Sequence, residues 1–221
     1  AIALGVAATF GAAMGAAIHF LKVPSFIVTL AGMFLARGGA SVLSPDSIGI
    51  KHDFYTAISK TYLLLPGGGR LTVIGGIMLL VFLGGMILAH RTRFGSCVYA
   101  IGGSETSAAL MGVPMARTTI RIYMLSSTLA GLAGIVFSLY TSAGYSLSAL
   151  GVELDAIAAV VIGGTLLTGG YGFVAGTFIG VLMQGLVQTY IVFDGSLSSW
   201  WTKIVIGALL FMFILLQRLT F

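Results

Sequence analysis

Long apolar stretches separated by short polar breaks dominate this chain. A helix rises 1.5 Å per residue, so about 20 apolar residues cross a hydrocarbon core of about 30 Å. Seven runs approach that length: Ile2 to Leu21, Val23 to Val42, Leu71 to Ala89, Thr118 to Thr141, Val152 to Leu167, Phe173 to Phe193 and Trp200 to Leu216. The fifth has only 16 residues and would span about 24 Å, which suits a helix that stops short or re-enters. The pattern predicts an all-α fold, a polytopic transmembrane helical bundle of about seven membrane segments.

The breaks carry the signals that such an arrangement needs. Lys22 and Pro24 interrupt the first pair of runs, with Pro24 tolerable in the first turn of the second helix. Asp194-Gly195 makes a short turn before Trp200 and Trp201, which read as interfacial aromatics. Two longer polar segments remain. One is Ser44 to Arg70, with Pro45, Lys51, His52, Lys60, Pro66 and the run Gly67-Gly68-Gly69; the other is His90 to Arg117.

Loop cations set the orientation. With His90 to Arg117 in the cytoplasm, Lys22, Arg91, Arg93, Arg117, Arg121 and Arg218 lie inside, and Arg37, Lys51, Lys60, Arg70 and Lys203 outside. The excess inside is a single cation. Residues 44–70 then form a periplasmic segment and residues 91–117 a cytoplasmic loop.

Composition removes whole classes of function. Of 221 residues, 58% are hydrophobic and 8% charged, against about 25% charged in an ordinary soluble domain. The mean hydropathy is +1.08, which leaves too little polar surface to wrap a water-soluble globule. Disorder is excluded by the same arithmetic. The 11 Lys and Arg outnumber the 6 Asp and Glu, but the net +5 is scattered along helix ends and does not form a nucleic-acid patch. Cys97 is the only cysteine and reads as a small apolar packer. The opening run at Ala1 has no initiator Met and no basic flank, so a fragment lacking its N-terminal part is expected rather than a removable signal peptide.

Among the 32 glycines, Gly172, Gly176 and Gly180 form two successive small-xxx-small steps, and Gly11 with Gly15 another. Such spacing lets helix backbones approach closely where lipid supplies no hydrophobic drive.

The motifs of catalysis and energy coupling are missing. Neither Gly67-Gly68-Gly69-Arg70 nor the region Gly163 to Gly172 has the Lys of a Walker A loop, so the chain is not expected to bind ATP itself. His19, His52 and His90 are isolated, and Gly144-Tyr145-Ser146-Leu147-Ser148 is not a nucleophile elbow. Neither enzyme chemistry, a cofactor nor a metal is called for. Glu153 and Asp155 fall in the first turn of the fifth run, where the helix dipole favours carboxylates; a capping role and a substrate-binding role both fit them.

The segment Arg91 to Arg117 is too polar to cross a membrane and too apolar for a solvated linker. Between Gly103 and Gly112, Ser104 can cap a short helix carrying Glu105, Ala108, Ala109, Leu110 and Met111. Such a helix could dock on another protein or rest on lipid.

Here the chain resembles a known family. Thr92-Arg93-Phe94-Gly95, Tyr99-Ala100-Ile101-Gly102-Gly103 with Glu105, and Leu110-Met111-Gly112 resemble the cytoplasmic coupling loop of bacterial ABC sugar-importer permeases of the ribose and galactofuranose type. So does the stretch Glu153 to Thr165, reading E-L-D-A-I-A-A-V-V-I-G-G-T, followed by Gly169-Gly170 and Gly172. Pro24 to Met33, Pro66 to Leu71 and Asp194 to Lys203 look closest to the galactofuranose permeases. The ordered match covers almost the whole chain, although the Gly-Gly-Ile-Asp-Leu-Ser type motif of the family's opening helices has no counterpart, and Ser104 stands where relatives often carry Asn.

The resemblance implies a permease subunit translocating a monosaccharide such as galactofuranose or ribose. Its implied partners are ATP-binding cassette subunits, a second homologous permease protomer, a periplasmic sugar-binding protein and the lipid bilayer, in the bacterial inner membrane. Gly102, Gly103, Glu105, Leu110, Met111 and Gly112 become the residues coupled to the ATPase. A neutral sugar needs hydroxyl-pairing groups along its path. Ser126, Ser127, Thr128, Gln184, Gln188, Thr189 and Tyr190 are candidates beside Glu153 and Asp155, although Ser and Thr in membrane helices also bond their own carbonyls. A stand-alone sugar carrier or facilitator, and a structural membrane subunit with no path, remain as alternatives.

Overall fold

The computed structural model describes residues 2–51, 55, 62–64, 70–194 and 200–220. Its elements run α1 (Ile2–Leu21), α2 (Ser25–Leu43), β1 (Ile48–Gly49), β2 (Tyr62–Leu64), β3 (Arg70–Thr72), α3 (Val73–Arg91), α4 (Arg93–Gly103), α5 (Glu105–Leu110), α6 (Met115–Thr141), β4 (Ala143–Gly144), α7 (Val152–Ile162), α8 (Val174–Asp194) and α9 (Trp200–Thr220). Five of these helices are long and apolar enough to cross a membrane: α1, α2, α3, α6 and α8. In α9 the apolar part runs from Trp201 to Gln217. The fold is all-α and polytopic, as the apolar runs predict.

Two compact units are present, residues 1–81 with 109–148 and residues 82–108 with 149–221. In the first, α1 and α6 pack antiparallel through glycines. A Cβ on Gly15 would lie 2.8 Å from Ile120 Cα, and one on Gly131 2.8 Å from Ala7 Cβ. Gly11 and Gly15 are the buried residues of α1, so the expected small-residue spacing is the seam itself. The helix breaks at Lys22, whose φ of 52° is left-handed, and Pro24 O then receives the amides of Ile27 and Val28 to start α2. Gly32 of α2 sits against the Met14 sulfur.

Two short strand pairs were not foreseen. Ile48 pairs with Gly144 and Gly49 with Ala143, antiparallel, and Ile50 N donates to Ser142 O at 2.8 Å. That pairing is set up where α6 ends on Ser142 in a left-handed conformation, φ 51°. Tyr62–Leu64 pairs with Arg70–Thr72, and the Thr72 hydroxyl accepts from Gly75 N at 3.3 Å at the start of α3. The rest of the expected periplasmic segment, residues 52–54, 56–61 and 65–69, lies outside the described residues, as do Gly195 and the rest of its turn.

In the second unit α7 is central. Its Ala158 and Ile162 form a buried cluster with Ile206 of α9, flanked by Leu209, Leu210 and Phe213. Val161 is 1% exposed. On the other side α8 approaches backbone to backbone: Gly176 abuts the Gly163 carbonyl and Gly180 the Ala159 carbonyl, so neither could carry a side chain. At 11 residues, α7 is about 16 Å long, well short of a bilayer core. The fifth run thus gives a helix too short to cross by itself, which turns back into α8 through residues 163–173.

Candidate functional site

The segment expected to couple to a partner folds as an elbow, a helix and a knob. Thr92 makes the elbow: its hydroxyl donates to Leu88 O at 2.6 Å and accepts from Gly95 N at 3.2 Å, ending α3 and capping α4 with one side chain. Gly95 is buried against Ala89 and Leu88 carbonyls, so the sharp bend requires a residue without Cβ. Ser104 then caps α5, its Oγ accepting from Ser107 N at 3.3 Å. Within α5, Ala108 is fully buried while Leu110 is 91% exposed and the adjoining Met111 70% exposed. Gly112 turns the chain at φ 80°, and Pro114 starts α6, accepting from both Thr118 N and its hydroxyl at 3.0 Å. Arg91, Arg93, Glu105, Arg117 and Arg121 are all exposed around this segment.

The end of α4 rests on the α7–α8 turn. A Cβ on Gly102 would lie 2.7 Å from Gly170 N, and one on Gly169 2.7 Å from Gly102 O. Gly169 and Gly170 have φ of 91° and 78°, conformations that glycine adopts without steric cost. Tyr99 Oη donates to Gly172 O at 2.7 Å. Its ring stacks on His90, centroids 6.0 Å apart, and His90 in turn meets Phe173 at 5.7 Å. Burial pushes the Tyr99 phenol above its ordinary 10.0, so the donor keeps its proton at neutral pH.

The sequence-predicted path residues fall into separate places. Ser127 lines a 710 Å³ groove in the first unit, walled by α1, α2 and α6, together with Ser126, Thr29, Tyr123, Met14 and Met33. The Thr29 and Thr128 hydroxyls bond carbonyls of their own helices, Ser25 O at 2.9 Å and Met124 O at 2.6 Å. For Ser126 and Ser127 no hydrogen bond is seen among the described residues. Gln184, Gln188, Glu153 and Asp155 belong to the second unit. Gln184 is half-buried on α8, whereas Gln188, Thr189 and Tyr190 are exposed. Glu153 and Asp155 stand in the first turn of α7, and Asp155 pairs with Lys203 Nζ at 3.9 Å. Their place in the first turn is one that the helix dipole favours for carboxylates, although the N-cap residue makes no side-chain cap hydrogen bond.

Sequence reasoning missed Thr92, His90, Tyr99, Gly169, Gly170 and Gln217 as partners. Gln217 of α9 donates to Thr165 O at 3.3 Å and Val161 O at 3.5 Å, reaching carbonyls where α7 stops. No local signal announces any of these contacts except the glycine doublets. Among the described residues no group of three His, Cys, Asp or Glu is placed to hold a metal ion.

The family described as branched-chain amino acid transport system / permease component matches residues 1–214. The chain is similar to the inner membrane ABC transporter permease protein YjfF of Escherichia coli (strain K12), 62% identical over 217 residues, covering 98% of this chain and 66% of that protein. It is 40% identical over 225 residues to the fructose import permease protein FruG of Bifidobacterium longum (strain NCC 2705), covering 98% and 65%. To the ribose import permease protein RbsC of Escherichia coli (strain K12) it is 36% identical over 223 residues, covering 99% and 68%. The chain spans about two thirds of the length of these relatives. No solved structure matches.

Proposed function

The chain belongs to the family of transport-system permease components just described, and on that premise we propose that it is the permease subunit of an ATP-binding-cassette importer that brings a monosaccharide such as galactofuranose or ribose into the cell. Residues 1–221 act as one transmembrane permease domain of the bacterial inner membrane, with 44–70 on the periplasmic side and 91–117 in the cytoplasm. ATP is hydrolysed by separate cassette subunits. A second homologous protomer and a periplasmic sugar-binding protein complete the importer. The relatives named for fructose and ribose import support a sugar as cargo, and the chain offers a neutral solute hydroxyls and amides rather than charges.

One observation carries the coupling role: Leu110 and Met111 stand out at the tip of α5, 91% and 70% exposed, on a turn fixed by Gly112 and Pro114. An exposed apolar pair on a rigid turn suits insertion into a pocket of a partner. Gly102, Gly103 and Gly112 are proposed to take part in the coupling, and Glu105 is the single acid of α5. ATP-driven closure of the cassette subunits would push α5 and shift the path between the two faces. Ser127, Gln184, Gln188, Glu153 and Asp155 are proposed, each by its polar side chain, as candidates to pair with sugar hydroxyls.

Mild solubilisation followed by subunit identification tests this reading. An ATP-binding subunit is expected in fixed stoichiometry with the wild-type chain and absent when Leu110 and Met111 are both changed to Asp. Sugar uptake into vesicles containing this chain alone, without nucleotide, would instead identify a stand-alone carrier.

A further inference from the structure

A stroke delivered to α5 must travel through packed elements to reach the membrane interior. The helix that precedes the coupling segment is a poor conveyor, because α3 has no buried residue. Along its length it meets the second unit through the edge-on pair Phe82–Phe178, 4.9 Å between centroids, and Gly85 near Val174, and only at its end does His90 reach Tyr99 and Phe173. The end of α4 is held far more closely. Besides the approach of Gly102 to Gly170, a Cβ on Gly170 would lie 2.8 Å from Gly103 Cα, so two glycine pairs lock backbone to backbone. Tyr99, one turn earlier, ties Gly172 O at 2.7 Å. Beyond the turn, α7 is fixed to α8 and α9 by Ala158, Ala159, Val161 and Ile162, all buried.

We propose that α4 and the turn 163–173 move as one body, so that displacement of α5 is delivered to the buried end of α7 rather than along α3. Tyr99 is the positioning residue of this strut: its hydroxyl fixes the turn to α4, and its ring, stacked on His90, fixes α4 to the end of α3. The glycine pairs supply the lateral fit, since a side chain on Gly102, Gly169 or Gly170 would part the two backbones. The proposal rests on the reading of α5 as the ATPase-docking element.

Two measurements on the assembled importer in lipid vesicles test it. Spin labels at Ser96 and Thr168, both exposed, can be introduced as Ser96→Cys and Thr168→Cys with Cys97→Ser. The interspin distance is expected to change by less than about half of one helical ratchet of about 5 Å between nucleotide-free and ATP-bound states, and any larger change would overturn the strut. Tyr99→Phe removes the hydroxyl but keeps the ring. It should leave ATP hydrolysis near wild type and lower sugar moved per ATP about fivefold, the worth of one neutral hydrogen bond; an unchanged ratio overturns the proposal. If the wild-type chain retains no ATP-binding subunit, the functional reading itself fails before either variant is made, and the strut with it.

Discussion

Gly11 and Ser127 face each other across the α1–α6 seam with no space for a methyl: a Cβ on Gly11 would lie 2.7 Å from both Cβ and Oγ of Ser127. The serine proposed for the sugar path therefore has its position set by the absence of a side chain on the opposite helix. The groove that Ser127 lines also includes Ala3, Ala7 and Phe10 of α1. Helix spacing and groove shape are one property here.

Gly11→Val should part α1 from α6 and destabilise the protein by about 1–3 kcal/mol, the usual cost of overpacking a fitted interface. Gly5, on the same helix, has nothing within 4 Å of a built Cβ. Gly5→Val should change stability by no more than about 0.5 kcal/mol. Unfolding midpoints of both variants in detergent decide the matter, and equal midpoints would remove the seam from the account.

The turn after α7 separates backbone strain from steric fit. Gly164 and Gly170 both have positive φ, 85° and 78°, but a Cβ on Gly164 meets nothing within 4 Å whereas one on Gly170 would meet Gly103 Cα at 2.8 Å. Gly164→Ala should cost about 1–2 kcal/mol from left-handed strain alone. Gly170→Ala should cost at least about 1 kcal/mol more from overpacking. Thermal unfolding in matched detergent compares them directly.

Much of this was legible in the sequence because membrane helices are specified by length and apolarity, which are local. The runs from Ile2, Val23, Leu71, Thr118 and Phe173 reappear as five membrane-length helices, and the 16-residue run from Val152 as a helix too short to cross. Ser104 shows as a cap because capping involves residues three apart. By contrast α4 was not anticipated. Glycine is a poor helix former, yet the bareness of Gly95 and Gly102 serves close approach to Ala89 and Gly170. Contacts such as Tyr99 to Gly172, 73 residues apart, leave no periodic trace. For the path, the sequence names hydroxyls and amides but not which face each helix presents. Ser127 reaches a groove, while Gln188 is exposed on α8.

Glu105 is the only acid of α5 and is exposed at its first turn, close in sequence to Arg91, Arg93 and Arg117. Glu105→Lys exchanges a dipole-favoured charge for an unfavourable one, a change of about 1 kcal/mol at an exposed site, too little to unfold the protein. The variant should insert normally and hydrolyse ATP with its partners while losing sugar uptake. Reconstituted uptake at the wild-type rate would reject its place at the docking surface.

Asp155 and Lys203 are 3.9 Å apart with side chains 33% and 52% exposed. A pair this open contributes little, so Lys203→Met should alter stability by less than about 0.5 kcal/mol. Asp155→Asn also removes a carboxylate from the first turn of α7 and should cost about 1 kcal/mol. Chemical denaturation at low and high salt checks both, the difference shrinking in high salt. Wild-type-like stability in Asp155→Asn combined with lost uptake would assign the carboxylate to the sugar rather than to the helix end.

Gln217 shows how an interrupted helix is tolerated in an apolar setting. Where α7 ends, Gly164 N bonds Val161 O at 2.9 Å, and Gln217 Nε2 adds bonds of 3.5 Å to that carbonyl and 3.3 Å to Thr165 O. In water such carbonyls would be hydrated; inside a membrane they must find protein donors. Both bonds are long, so each is worth at the lower end of the usual range of about 0.5–1.5 kcal/mol. Gln217→Leu should destabilise the protein by about 1–2 kcal/mol, chiefly by taking the donor from the Thr165 carbonyl while Val161 O keeps Gly164 N, and Gln217→Glu should not restore it, because a carboxylate has no N–H to donate. Amide exchange at Gly163 to Thr165 should quicken in Gln217→Leu while that of α1 stays unchanged. Uniform acceleration across the chain would show general unfolding rather than a local loss at the end of α7.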